Sequence, residues 1–276
     1  MFRISTILGS LAVASVQAWG FGPAAHAYIG MKILGEGAPV AAFAAVLPDM
    51  NGLFKATPGA DARVKFLGHH EFERLTGSCF AASFATHNND WGADAIAHAY
   101  FVPDAPDNYV TAKLRALNAQ TGITMHEAED LFDAALDMRL AQEVGPGLGK
   151  SLTASAKAAG KPEEDALVAA FAAPLAEGTG VTPEVAETQL RWALRCMKSG
   201  TASYGTLLQL DPFRQKLIAT FFVARFFHWT NAEARTRLDV ALALAGDCRP
   251  ALDAMAEGIR ARMLAEPGYA GCVAGR

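Results

Sequence analysis

The chain has 276 residues, about half of them apolar and rich in alanine, with 19% charged, so it has the composition of a globular protein able to bury its own core. A net charge of −4 excludes any general electrostatic attraction to nucleic acid or to an anionic membrane. Any phosphate-binding site must therefore draw on a local positive centre, and a bound metal would be one.

The first element is a leader. Arg3 gives a positive start, Ile4 to Val16 is small and apolar, and Val16-Gln17-Ala18 supplies the small residues a signal peptidase selects. This run is too short to span a bilayer. Residues 1–18 are thus expected to be removed, leaving residues 19–276 as one exported, soluble domain with Trp19 at its amino terminus. A free α-amine and its own carbonyl form a five-membered chelate, and a metal readily deprotonates such an amine. His26 lies close behind.

Beyond the leader, nearly every ordered segment predicts helix. The expected spans are Ala24 to Leu34, Asp61 to Leu75, Asp90 to Tyr100 and Thr124 to Val144, the last capped by Thr124 and stopped by Gly145-Pro146-Gly147. Residues 145–160 are expected to form a loop or lid. Further helices follow at Glu163 to Ala176, Thr182 to Ser199, Asp211 to about Trp229, Asn231 to Ala245 and Arg249 to Ala265. Thr182-Pro183 and Asp211-Pro212 each pair a cap with a first-turn proline. No alternating β-branched run predicts a strand, so the fold class is all-α, with ligands expected in 19–130 and a helical scaffold in 150–276. Cys79, Cys196, Cys248 and Cys272 allow two disulfides in an oxidising compartment, without fixing their pairing.

Six of the seven histidines lie between residues 26 and 126, beside Asp49, Asp90, Asp94 and Asp130. Offsets of 7 and 11 residues fall within about 20° of one direction on a helix, so a helix reaching back to His87 would align His87, Asp94 and His98. Asp94/His98 and His126/Asp130 each have the one-turn spacing that suits a metal. His69 and His70 are adjacent and diverge by about 100° on a helix, so one of the two is expected to be a ligand. Singly, each position has an ordinary structural explanation: a core histidine, a turn aspartate, a surface pair. Gathered in one half of the chain, they point to a metal site built by helices that present imidazole and carboxylate inward. His228, within an aromatic run, is read as packing.

This ordered set resembles the zinc-dependent phospholipase C / S1–P1 nuclease superfamily. The resemblance covers about residues 19–130 and is a match of ligand order, carried most specifically by the Trp19-Gly20 start and His26. It implies a compact bundle of the phospholipase C/P1 nuclease type and a cluster of three Zn²⁺ ions. One ion would be held by His69 or His70, His87 and Asp94; a second by the Trp19 amine and carbonyl, His26 and a shared Asp94; a third by His98, His126 and Asp130. Asp49, in Leu47-Pro48-Asp49, corresponds to the family's early aspartate near the attacking water and would act as the base. The chain departs from the family's central His-x-x-x-Asp: Trp91 stands four residues after His87, leaving Asp94 or Asp90 as the bridge. Asp130 stands where the phospholipases tend to use glutamate, with Glu127 and Glu129 beside it.

The implied function is an exported, secreted or periplasmic, zinc-dependent phosphoester hydrolase, phospholipase C-like, in which a metal-bound water attacks a phosphodiester. An S1/P1-type nuclease or phosphatase is the alternative within the superfamily, and a non-catalytic metal-binding helical protein the alternative outside it. The expected partners are a phosphodiester substrate, phospholipid included, and transiently a membrane surface, with no stable nucleic-acid complex and no obligate protein partner.

Overall fold

Helix starts in this chain are set by short polar side chains. In the computed structural model, Ser78, Asn108, Thr124, Thr182, Asp211 and Thr230 each accept a hydrogen bond from a backbone N–H of the first turn that follows them. At Thr124 and Thr230, Glu127 and Glu233 reach back to complete capping boxes. The structure describes residues 22–35, 38–54, 56–101, 108–246 and 248–273, with backbone alone at 100 and 101. The leader, its cleavage point and Trp19 lie outside the described residues.

The chain begins with α1 (Pro23–Leu34) and a single turn α2 (Ala41–Ala44), then a 3₁₀ segment Leu47–Leu53. Next come α3 (Ala60–His69), a 3₁₀ turn Phe72–Arg74, α4 (Cys79–Ala85), α5 (Ala93–Ala97) and a 3₁₀ turn His98–Phe101. The longer helices are α6 (Tyr109–Thr121), α7 (Met125–Val144), α8 (Gly147–Ala158), α9 (Lys161–Thr179) and α10 (Pro183–Leu207). The chain closes with α11 (Pro212–Phe226), α12 (Asn231–Ala245), α13 (Arg249–Ala265) and α14 (Pro267–Val273). Among the described residues there is no strand, as the all-α expectation requires.

Several expected spans differ: α10 runs past Ser199 to Leu207, and α6 lies where no helix was expected. The segment 145–160 is not a loop but α8. Leu148 and Leu152 are buried there, and the Ser155 hydroxyl accepts from Phe43 N–H. Its two glycines signal close packing rather than flexibility: a Cβ on Gly149 would meet the Gly205 carbonyl oxygen at 2.4 Å, where α8 crosses α10. The helix expected over 61–75 stops at His69, with a 3₁₀ turn after it. The helix expected from Asp90 begins only at Ala93, and residues 86–92 form a tight loop instead. Its cause is Asn88, whose side-chain oxygen accepts from the N–H groups of Asp90, Trp91 and Gly92. A Cβ on Gly92 would lie 2.6 Å from the Asn88 nitrogen, so only glycine closes this loop. His228 is exposed at φ 57° past the end of α11 and does not pack.

One apolar core runs from Ala24 to Val273. α1 packs on α2, α7 and α13, α7 also on α6 and α12, and α3 on the Leu47–Leu53 segment. A disulfide joins Cys79 at the start of α4 to Cys272 in α14, tying the early helices to the chain's last one. Cys196 and Cys248 take part in no disulfide among the described residues.

Candidate metal centre

Five short segments converge on one buried point. His26 comes from the first half of α1, Asp49 from the 3₁₀ segment, His69 from the last position of α3, His87 from the loop after α4, and Asp94 from the start of α5. All five are buried. Backbone bonds fix the approach: Asp94 N–H donates to the His87 carbonyl (2.9 Å), and Asn89 N–H to the His69 carbonyl (3.0 Å). His87 and Asp94 therefore meet through a loop closed on itself, not along the helix face the spacing suggests.

Asp94 sits at the centre. Its Oδ2 lies 3.2 Å from His69 Nε2, 3.3 Å from His87 Nε2 and 3.7 Å from His98 Nδ1, and its Oδ1 lies 3.4 Å from His26 Nε2. Asp49 Oδ1 lies 3.4 Å from His87 Nε2 and 3.8 Å from His69 Nε2. The His26 and His87 rings stack, with centroids 3.8 Å apart.

The outer nitrogens of two rings are already committed. His69 Nδ1 is 2.8 Å from the Lys65 carbonyl, and His87 Nδ1 is 2.9 Å from the Ala45 carbonyl. A carbonyl can only accept, so each Nδ1 carries the proton and each Nε2 turns a lone pair toward the carboxylates. This is the outer hydrogen bond that orients a metal-ligating imidazole. Among the described residues, His87 Nε2, Asp49 Oδ2 and both Asp94 oxygens are buried without a hydrogen-bond partner. Lone pairs facing lone pairs in a dry interior are costly unless a cation, or protons, stand between them.

The protonation balance says the same. Burial works against the charged forms of His69 and His87, yet the Asp49 and Asp94 carboxylates outweigh it and hold both imidazoles above their usual pKa. Burial likewise opposes ionisation of Asp94 and Asp49, and the surrounding histidines nonetheless hold both below the carboxylate range. His26, for which burial and the charge on His87 dominate, is pushed down. His26, Asp49 and His87, and equally His69, His87 and Asp94, have ligand atoms close enough together to hold a metal ion. Because a ring nitrogen has one lone pair, His87 serves one ion in either grouping, and these are two views of one compact cluster.

A second group adjoins it on α7. Glu129, buried, places Oε1 3.0 Å from His98 Nε2 and Oε2 3.6 Å from His126 Nδ1. His98 thus lies between Asp94 and Glu129. Asp130 approaches His126 only at 4.0 Å, and His126 is mostly exposed. Burial and Glu129 push Asp130 up to about 6 against the pull of His126. In this group Glu129 makes the closer approach, and Asp130, expected as the acid, stands at its edge.

His70 and Asp90 do not join the cluster. They pair with each other at the surface, Nδ1 to Oδ1 3.2 Å, with about half of each side chain exposed. The geometry therefore gathers His69 rather than His70, and Asp94 rather than Asp90.

Two acids went unread in the sequence. Asp133 and Asp137 follow Glu129 at four-residue intervals on α7, and both are buried. Asp137 accepts from the Ala24 and Ala25 N–H groups and from the Tyr204 hydroxyl, so it caps the start of α1. Acids recurring every four residues among the leucines and alanines of α7 were the available signal. Asp130 and Asp133 also line one end of a pocket of about 220 Å³ whose walls are mainly apolar, among them Met197, Leu208, Phe222 and Phe227.

No family model, curated protein or solved structure matches the chain.

Proposed function

We propose that the protein is an exported zinc-dependent phosphoester hydrolase of the phospholipase C type. The observation that carries this reading is the convergence of His26, Asp49, His69, His87 and Asp94 on one buried point, where His87 Nε2, Asp49 Oδ2 and both Asp94 oxygens face one another. Imidazole nitrogen with carboxylate oxygen is a donor set suited to Zn²⁺, and a carboxylate can bridge two ions. Asp94, with four imidazoles about it, would be shared between ions held there. His69, His87 and Asp49 would hold one ion. His26 and the Trp19 amine and carbonyl would hold the second. His98 and Glu129, with His126 and Asp130 at the edge, would hold the third.

Bound there, such ions supply Lewis acidity toward phosphoryl oxygens and lower the pKa of water. Asp49 would help hold such an ion through Oδ1, 3.4 Å from His87 Nε2, and its Oδ2 would be available to orient a water or take its proton. The adjoining pocket, acidic at one end and apolar along its walls, suits a substrate with a hydrophobic tail better than a polynucleotide. The Cys79–Cys272 disulfide supports export to an oxidising compartment.

The test is elemental analysis of the processed protein beside hydrolysis of a water-soluble phosphodiester. The reading expects zinc and turnover together, both lost in His69→Ala and His87→Ala. Full zinc loading without hydrolysis of any phosphodiester would leave a metal-binding protein without turnover, and absence of bound metal would end the proposal.

A further inference from the structure

The outward face of α11 carries Phe213, the most exposed large hydrophobic side chain among the described residues. Phe213, Leu217 and Phe221 follow at four-residue spacing and are 75%, 53% and 45% exposed. At 100° per residue they fall within about 80° of arc, one stripe along one side of the helix. The opposite side of α11 does different work: Gln215, Ala219, Phe222 and Val223 line the 220 Å³ pocket that ends at Asp130 and Asp133. Phe226 belongs to both surfaces, lining the pocket while 41% exposed. Across the pocket, α10 contributes Cys196 to the wall and carries Trp192, 46% exposed, one turn earlier.

Residues 212–226 contain Arg214, Lys216 and Arg225 and no acid, in a chain whose net charge is −4. The Arg225 guanidinium lies over the Phe221 ring, 5.7 Å from its centroid. Arg214 and Lys216 pair with Asp211 and Asp239, but these are surface pairs, weak enough to exchange for anionic headgroups. Exposed aromatics and leucine along one stripe, flanked by cations, form the surface of a helix that lies in a lipid interface. Exposed tryptophan is at home at the same depth.

We infer that α11 docks the protein onto an anionic phospholipid surface through Phe213, Leu217 and Phe221, setting the mouth of the apolar pocket against the lipid. The identity of the lipid as substrate rests on the hydrolase reading above; the docking does not. Once docked, an acyl-bearing molecule enters the pocket beside Phe226 without crossing water, its polar end leading toward Asp130 and Asp133.

The experiment is co-sedimentation of the exported, processed protein with phosphatidylcholine vesicles, with and without phosphatidylglycerol. It is repeated on the Phe213→Ser/Leu217→Ser/Phe221→Ser triple variant. These side chains already face water, so the variant keeps its helical circular dichroism. The wild type should bind the anionic vesicles more tightly than the zwitterionic ones, and less tightly as salt rises. The variant should lose at least about tenfold in partitioning, since each apolar side chain withdrawn from water contributes on that order. Hydrolysis of a water-soluble phosphodiester, run alongside, should be unchanged in the variant. Failure of that hydrolysis in both proteins counts against the hydrolase reading alone, because sedimentation needs no turnover. Equal vesicle binding by wild type and variant would overturn the docking surface. So would a concentration-dependent dimer that the same substitutions dissolve, which would assign the stripe to a second copy of the chain.

Discussion

Asp94→Asn separates a metal centre from an ordinary buried polar cluster. In the metal-free protein the substitution removes one charge from among four imidazoles at 3.2–3.7 Å. The new amide N–H can donate to a neutral His69 or His87 Nε2, which replaces part of what is lost and limits the change in metal-free stability. In the metal-bound protein nothing replaces the shared carboxylate. Loss of even an outer hydrogen-bonding partner costs about 10–100-fold in metal affinity, so loss of a shared ligand costs at least the upper end of that range. At fixed excess zinc, a 100-fold weaker site forfeits about 2.7 kcal/mol of ligand-linked stability. For a chain of this size that lowers the melting temperature by roughly 5–10 °C. The assay is thermal unfolding of wild type and Asp94→Asn, with zinc and with chelator, beside elemental analysis. The expected pattern is a small difference between the chelated proteins and a large one between the zinc-loaded proteins, with more than one zinc lost per chain. An Asp94→Asn protein with undiminished zinc content and the same zinc-dependent rise in melting temperature would refute the reasoning.

Other outcomes follow from the same geometry. His70→Ala should leave zinc content unchanged, because His70 pairs with Asp90 at the surface, whereas His69→Ala should reduce it; elemental analysis of the two variants reads this directly. Zinc affinity should fall as pH is lowered, because Asp49 and Asp94 hold His69 and His87 above the ordinary value of 6.5 and zinc must displace those protons. In the metal-free protein the sign is opposite: the raised histidines give stability that is fully present below about 6.5 and is lost as pH rises through their folded values. Proton release on zinc addition, followed by calorimetry in buffers of different ionisation enthalpy, checks the first, and urea unfolding of the chelated protein across pH checks the second. Gly149→Ala should destabilise by about 1–3 kcal/mol, since its Cβ would press on the Gly205 backbone, and urea unfolding measures it.

How far the site could be read beforehand follows from which contacts are local. Helix ends were legible because a cap acts within one turn: Thr124, Thr182 and Asp211 each sit where their helices begin. Segment 145–160 misled because its glycines face another helix, a contact no local pattern records. In the metal centre, Asp94 and His98 are neighbours on one turn, and that pairing was visible. The link from His87 to Asp94 was visible only as a coincidence of spacing; its cause is the Asn88 side chain, which ends the helix and folds the backbone so that both groups reach the same point. The choice between His69 and His70 turned on where α3 ends. At that last position the His69 ring still bonds the Lys65 carbonyl of its own helix and aims inward, while the next residue leaves the helix and meets water. Glu129 was passed over for Asp130 because one residue on a helix is only about 100° of rotation, and sequence spacing does not say which of two neighbouring acids faces in. The buried Asp133 and Asp137 do not supply the missing phase, because Asp130 lies seven residues, within about 20°, from Asp137. The distinction is one of contact: Glu129 reaches His98 Nε2 at 3.0 Å, whereas Asp130 approaches only the exposed His126, at 4.0 Å.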